Sequence, residues 1–146
     1  PAAGQDAPNA QARMKYLLDT NVCVDLLRSR PSVVERVSSV MPGDCAVSTV
    51  TAYELRSGAL GSRQPAKELR KIELMLRTIQ ELVFDRAAAT ESAKVRVATQ
   101  KRGKPIGPYD VLIAGHALAA GLVLVTNNTR EFARVPELQY EDWRNS

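Results

Sequence analysis

Histidine is almost absent from this chain: one residue in 146, His116. That excludes zinc sites with several histidine ligands and nuclease chemistry that relays protons between histidines. Cysteine is nearly as scarce. Cys23 and Cys45 cannot build a disulfide framework or a Cys-x-x-Cys metal site, and read as reduced, buried thiols of a cytoplasmic protein. Aromatic residues make up 5% of the chain, too few for base stacking to be its main grip on a nucleic acid. No apolar run approaches the ~20 residues of a membrane span, and no basic segment precedes a long apolar stretch as in a secretory signal.

What is present is ordinary for one globular domain: 45% hydrophobic and 25% charged residues. The formal charge of +4 permits an anionic partner such as RNA without requiring one. Residues 1–13 are rich in Ala, Gln, Asn and Pro and carry no hydrophobic period. They read as a disordered or cloning-derived leader, and residues 14–146 as a single domain.

From Met14 onward strand and helix patterns alternate. Tyr16-Leu17-Leu18, Cys45-Ala46-Val47-Ser48, Leu82-Val83-Phe84 and Leu122-Val123-Leu124-Val125 are short apolar runs suited to buried strands. A fifth is expected around Leu138–Glu141. Between them lie helical stretches, among them Ala66–Glu81, Ala87–Arg102 and Tyr109–Ala120, with loops rich in Gly and Pro. Strands separated by helices predict an α/β fold, a parallel sheet with helices on both faces. The site of such a fold lies at the carboxyl ends of the strands.

Asp19 directly follows the first strand, Glu54 lies six residues past Ser48, Asp110 opens an apolar helix, and Thr126-Asn127-Asn128 follows the fourth strand. Taken singly, each has a plain structural reading. Asp19 suits a helix N-cap, Asp110 complements a helix dipole, and Glu54 suits a solvent-facing position. His116 reads as a helix packing residue. Gathered on one rim, carboxylates without histidine repel one another unless a cation sits among them. Oxygen-only ligands suit Mg²⁺ or Mn²⁺, and the chemistry natural to such a site is metal-assisted phosphodiester hydrolysis.

Four blocks carry a family resemblance: Leu17–Asn21, Ser48–Leu55 with Gly58, Gly107–Ala114 with His116-Ala117, and Leu124–Phe132. The ending Val135–Leu138 with Glu141-Asp142-Trp143 fits as well. In order and spacing they resemble PIN domains, and more narrowly the VapC toxins of bacterial toxin–antitoxin pairs. The resemblance implies a PIN-like three-layer α/β/α sandwich around a parallel sheet of four to five strands. It implies a Mg²⁺- or Mn²⁺-dependent endoribonuclease that cleaves a structured RNA such as a tRNA. It also implies a homodimer and a VapB-like antitoxin, through which alone DNA would be met. Asp19, Glu54 and Asp110 take the places of the family's acidic metal site. Asn128 stands where the family has a fourth acidic residue, and an amide adds no charge there. Thr20, Asn21, Ser48 and Thr126 match polar residues that steady the carboxylates.

Lys101, Arg102 and Lys104, just before the Asp110 block, and Arg130, beside Asn128, are the candidate RNA contacts. Loop cations are more often merely solvated. A haloacid-dehalogenase-type phosphotransferase needs a second Asp where Asn21 stands. A receiver module needs an acidic pair and a late Lys that are not evident. A catalytically weak PIN-domain scaffold remains the alternative, because of Asn128.

Overall fold

The structure, a computed structural model, describes residues 14–40 and 42–144. The expected leader lies outside the described residues. The sheet has five strands, β1 (Tyr16–Leu18), β2 (Cys45–Ser48), β3 (Gln80–Leu82), β4 (Val123–Val125) and β5 (Tyr140–Glu141), in the order β3-β2-β1-β4-β5. Every pairing is parallel, with Tyr16 opposite both Cys45 and Val123.

Alternation along the strands divides the core in two. Leu17, Ala46 and Leu124 point to one face, onto α5 (Arg86–Lys101) and α6 (Pro108–Ala120) through Val95, Val111, Ile113, Ala114 and Ala117. Leu18, Val47 and Val125 point to the other. There they meet α1 (Thr20–Leu27), α2 (Pro31–Ser39), α3 (Thr49–Leu60) and α4 (Pro65–Thr78) through Val22, Cys23, Val33, Leu55 and Ile72. The result is the three-layer α/β/α sandwich.

Two local differences from the sequence-based expectation have physical causes. The helix expected to reach Glu81 stops at Thr78, because Ile79 is already extended (φ −102°, ψ 116°). The third strand is therefore Gln80–Leu82 rather than Leu82–Phe84. It is an edge strand with mostly exposed side chains, so its apolar residues do not mark it. Beyond it Val83 is exposed, and the Phe84 amide leaves the sheet to donate to the Thr49 hydroxyl at 3.1 Å. The second difference is a one-turn helix, α7 (Thr129–Phe132), in a block whose residues show no helical period.

Helices α5 and α6 approach most closely at Gly115. A Cβ there would lie 2.5 Å from backbone atoms of Ser92, whose hydroxyl is already bonded to the Ala88 carbonyl at 2.7 Å. The contact is helix on helix, so neither side can yield cheaply. Gly115→Ala is expected to destabilise the fold by about 1–3 kcal/mol, read as a lower midpoint in chemical denaturation. Ala114→Gly, which adds no atoms beside it, should not reproduce the overpacking signature of a shifted α5–α6 pair in amide exchange.

Candidate active site

The parallel strands all end on one rim, and three of them deliver a polar residue there: Asp19 after β1, Ser48 at the end of β2, and Thr126 after β4. Asp19 is 3% exposed. One carboxylate oxygen accepts from the Thr20 amide at 2.8 Å, which makes it the N-cap of α1, and the other from the Thr126 hydroxyl at 2.8 Å. The plain capping reading of Asp19 therefore holds, and it uses only one of its two oxygens.

The Thr20 hydroxyl, 3.2 Å from that of Thr51, donates to Glu54 Oε1 at 2.7 Å and brings the α3 carboxylate toward the first strand. Asp110 stands in the first turn of α6. It shares a hydrogen bond with a carboxylate that the strand-end pattern does not single out, Glu131 of α7. Glu131 Oε1 accepts from the Gly107 amide at 2.6 Å, and its Oε2 accepts from the Asn128 side-chain amide at 2.7 Å. Asn128 thus spends its amide holding a neighbour, and Glu131 is the fourth acid on the rim. The signal available in the sequence was spacing: Glu131 lies three residues after Asn128, one helical turn, on the same face.

The four carboxylates feel one another. Burial raises the Asp19 pKa above the ordinary carboxylate range, and the charges of Glu54 and Glu131 add to the rise, against the bonds from Thr126 and Thr20. Asp110 is pushed up to about 7 by burial, by the charges of Asp19 and Glu131, by its bond to Glu131 and by Glu54. Burial would raise Glu131 too. The Gly107 amide, the Asn128 amide, Asp110 and Arg134 outweigh it and hold this acid low. Within the pair Asp110 is therefore pushed up and Glu131 held down. Among the described residues, no three or more acidic, histidine or cysteine side chains are gathered as they stand so as to hold a metal ion.

The remaining candidates fall in several places. Ser48 touches no carboxylate. It caps α3 through the Val50 amide at 3.0 Å and pairs with His116 Nδ1 at 2.9 Å, so it acts on Glu54 only by fixing the helix. His116 is buried with Phe84 edge-on, and burial lowers its pKa. Asn21 is exposed, and its side chain makes no hydrogen bond among the described residues. Asn127 turns away from the rim to Asp25 at 3.3 Å. Arg102, Lys104 and Arg130 line one concavity of about 720 Å³ together with Arg134, which sequence position alone does not select. Lys101 is exposed on the last turn of α5 and does not line it. Both cysteines are free and buried, and burial pushes the Cys45 thiol up to about 11.

Residues 16–138 match the model of the PIN domain. The chain is 42% identical over 130 residues to the tRNA(fMet)-specific endonuclease VapC of Shigella flexneri, covering 89% of this chain and 98% of that protein. It is 39% identical over 132 residues to ribonuclease VapC1 of Haemophilus influenzae, with the same coverage. Among solved structures, DNA-bound VapBC from Salmonella typhimurium superposes with a TM-score of 0.85 at 38% identity, covering 89% of this chain and 98% of that one.

Because Asp110 binds its proton more tightly folded than unfolded, its contribution to stability is complete below the ordinary carboxylate pKa and is lost as pH rises through about 7. In EDTA, Asp110→Asn is expected to melt progressively higher relative to the parent as pH is raised from about 4 to about 8. The amide keeps the bond to Glu131 and has no charge to lose. A melting difference that does not change with pH would show that Asp110 is not the proton carrier of the pair.

Proposed function

This chain belongs to the PIN-domain family, and we propose that it acts as a VapC-type endoribonuclease toxin, cutting a structured RNA under the control of a VapB-like antitoxin. The observation that carries this reading is the rim itself. Asp19, Glu54, Asp110 and Glu131 gather there, Asp19 and Asp110 at the cost of raised proton affinities, with a concavity of four cations at its side.

The donor set fits a divalent cation. All four acids offer oxygen only, which selects Mg²⁺ or Mn²⁺ over softer ions. The burial and like charges that raise Asp19 and Asp110 mark a place where positive charge is wanted. When bound, the ion supplies positive charge against the phosphodiester and lowers the pKa of water. The chain's own residues supply position. Thr20 and Thr126 fix Asp19, Thr20 aims Glu54, and Gly107 and Asn128 aim Glu131 at Asp110. Prearranged charge of this kind accounts for most of the rate in such sites.

Water is the nucleophile in this reading. His116 is engaged by Ser48, and both thiols are buried and held protonated. Hydrolysis then leaves a 5′-phosphate and a 3′-hydroxyl. The weak-scaffold alternative rested on an amide in the fourth acidic place, and Glu131 removes that reason.

The substrate and partner readings rest on the relatives. A tRNA fits a chain related to tRNA(fMet)-specific enzymes. Recognition through phosphates and shape suits its few aromatics. VapBC assemblies among its structural relatives, two of them bound to DNA, support an antitoxin partner; a homodimeric toxin that meets DNA only through that antitoxin is what the family resemblance implies. Two free, buried thiols support a cytoplasmic site of action. Among the described residues, no helix is long and apolar enough to cross a membrane.

Two outcomes test the proposal. RNA cleavage is expected to require Mg²⁺ or Mn²⁺ and to stop in EDTA. Asp19→Asn, Glu54→Gln, Asp110→Asn and Glu131→Gln should each lower it by roughly 10²-fold or more while melting cooperatively. A wild-type rate in any one of these removes that residue from the site. Replacing Arg102, Lys104 and Arg130 together by Ala is expected to weaken RNA binding across sequences and to flatten its salt dependence by about one slope unit for each phosphate no longer neutralised. Arg134, which also donates to the Pro105 carbonyl at 3.1 Å, is left in place to preserve the loop.

A further inference from the structure

Of the seven aromatic residues, four are folded inward: Trp143 and Phe132 are buried, Phe84 packs on His116, and Tyr16 on Trp143. Tyr140 lies on the edge strand β5. The other two stand together at the lip of the acidic rim. Tyr53 is 54% exposed and precedes Glu54 on α3. Tyr109 is 43% exposed and precedes Asp110 on α6. Their hydroxyls lie 3.3 Å apart, and their ring centroids 5.8 Å apart at an interplanar angle of 43°.

Two rings so tilted do not stack on each other, so ring surface stays available to a flat ligand. The hydroxyl contact joins helices from opposite faces of the sheet and limits ring rotation, which lowers the entropy lost on binding. The two hydroxyls meet at 3.3 Å and Tyr109 lies near enough to feel the charge of Glu54, so a strand whose phosphate reaches the acids would carry its neighbouring base past the tyrosines.

We propose that Tyr53 and Tyr109 form a stacking platform for the base next to the phosphate that is cut, and so set a nucleotide preference at that position. The proposal rests on the endoribonuclease reading above. Neither ring takes part in bond breaking. Both position the substrate, by a sequence-tolerant contact that favours large, strongly stacking bases.

The test uses the full chain and short oligoribonucleotides carrying either the natural base or an abasic site beside the cleaved phosphate. Tyr53→Ala and Tyr109→Ala are expected to raise KM for the intact oligonucleotide about tenfold or more, with a smaller change in kcat. They should also abolish the disadvantage of the abasic substrate. Tyr53→Phe and Tyr109→Phe keep the rings and should retain most of the discrimination, so a loss caused by misfolding is separable from a loss of stacking. Equal KM values for intact and abasic RNA with the parent protein would overturn the platform. So would alanine variants that keep the parent's discrimination but convert a dimer to a monomer in light scattering, because the pair would then be a contact between two copies of the chain. Absence of any RNA cleavage by the parent in Mg²⁺ or Mn²⁺ would instead overturn the enzymatic reading, on which the platform depends.

Discussion

Like charges crowded on one rim repel, and the architecture of this protein is organised around tolerating that repulsion. Each of the acids Asp19, Glu54 and Glu131 is met by at least one donor from its own loop or a neighbouring helix. Asp110 is met by Glu131. Burial makes the repulsion stronger, because the rim has little water to screen it. The fold accepts that unfavourable term because it concentrates negative potential where a cation is needed. The cations of the chain that neighbour the rim are held just outside it, in the concavity of Arg102, Lys104, Arg130 and Arg134.

Much of this arrangement was legible in the sequence. A parallel sheet puts the residue after every strand on the same edge, so Asp19 and Thr126 could be placed from strand ends alone. Glu54 and Asp110 followed from their positions early in helices that return from that edge. Glu131 was not legible in the same way. It sits on a helix of one turn, too short to show a hydrophobic period, and its role depends on Asn128 turning its amide onto it. Ser48 illustrates the opposite error. Its match to the family's supporting polar residues implied direct contact with the acids, and the structure spends its hydroxyl on a helix cap and on His116. Edge strand β3 lies two residues before the apolar run that suggested it, because its side chains are solvated, and apolar pattern is a signal of burial rather than of hydrogen-bonded pairing.

The far edge of the sheet is fixed by a separate set of contacts. Arg144 forks onto Asp25 of α1 with bonds of 3.1 and 3.2 Å, and Asn127 shares the same carboxylate. Trp143 is buried, donates to Glu141 at 2.9 Å, lies under Arg36 and meets the edge of Tyr16. These contacts tie β5 to α1 and α2. Through Asn127 they also anchor the middle of the loop between β4 and α7, which carries Glu131 toward Asp110.

The bond from Thr126 to Asp19 spans 107 residues of chain. A site closed by so distant a contact cannot exist in a partly synthesised protein. β1 lies between β2 and β4 in the sheet, so its aspartate waits for β4 to be made and paired, and non-local pairing of this kind is the slow part of folding. In a nuclease, that distance along the sequence separates the moment Asp19 is made from the moment it can take its place in the site.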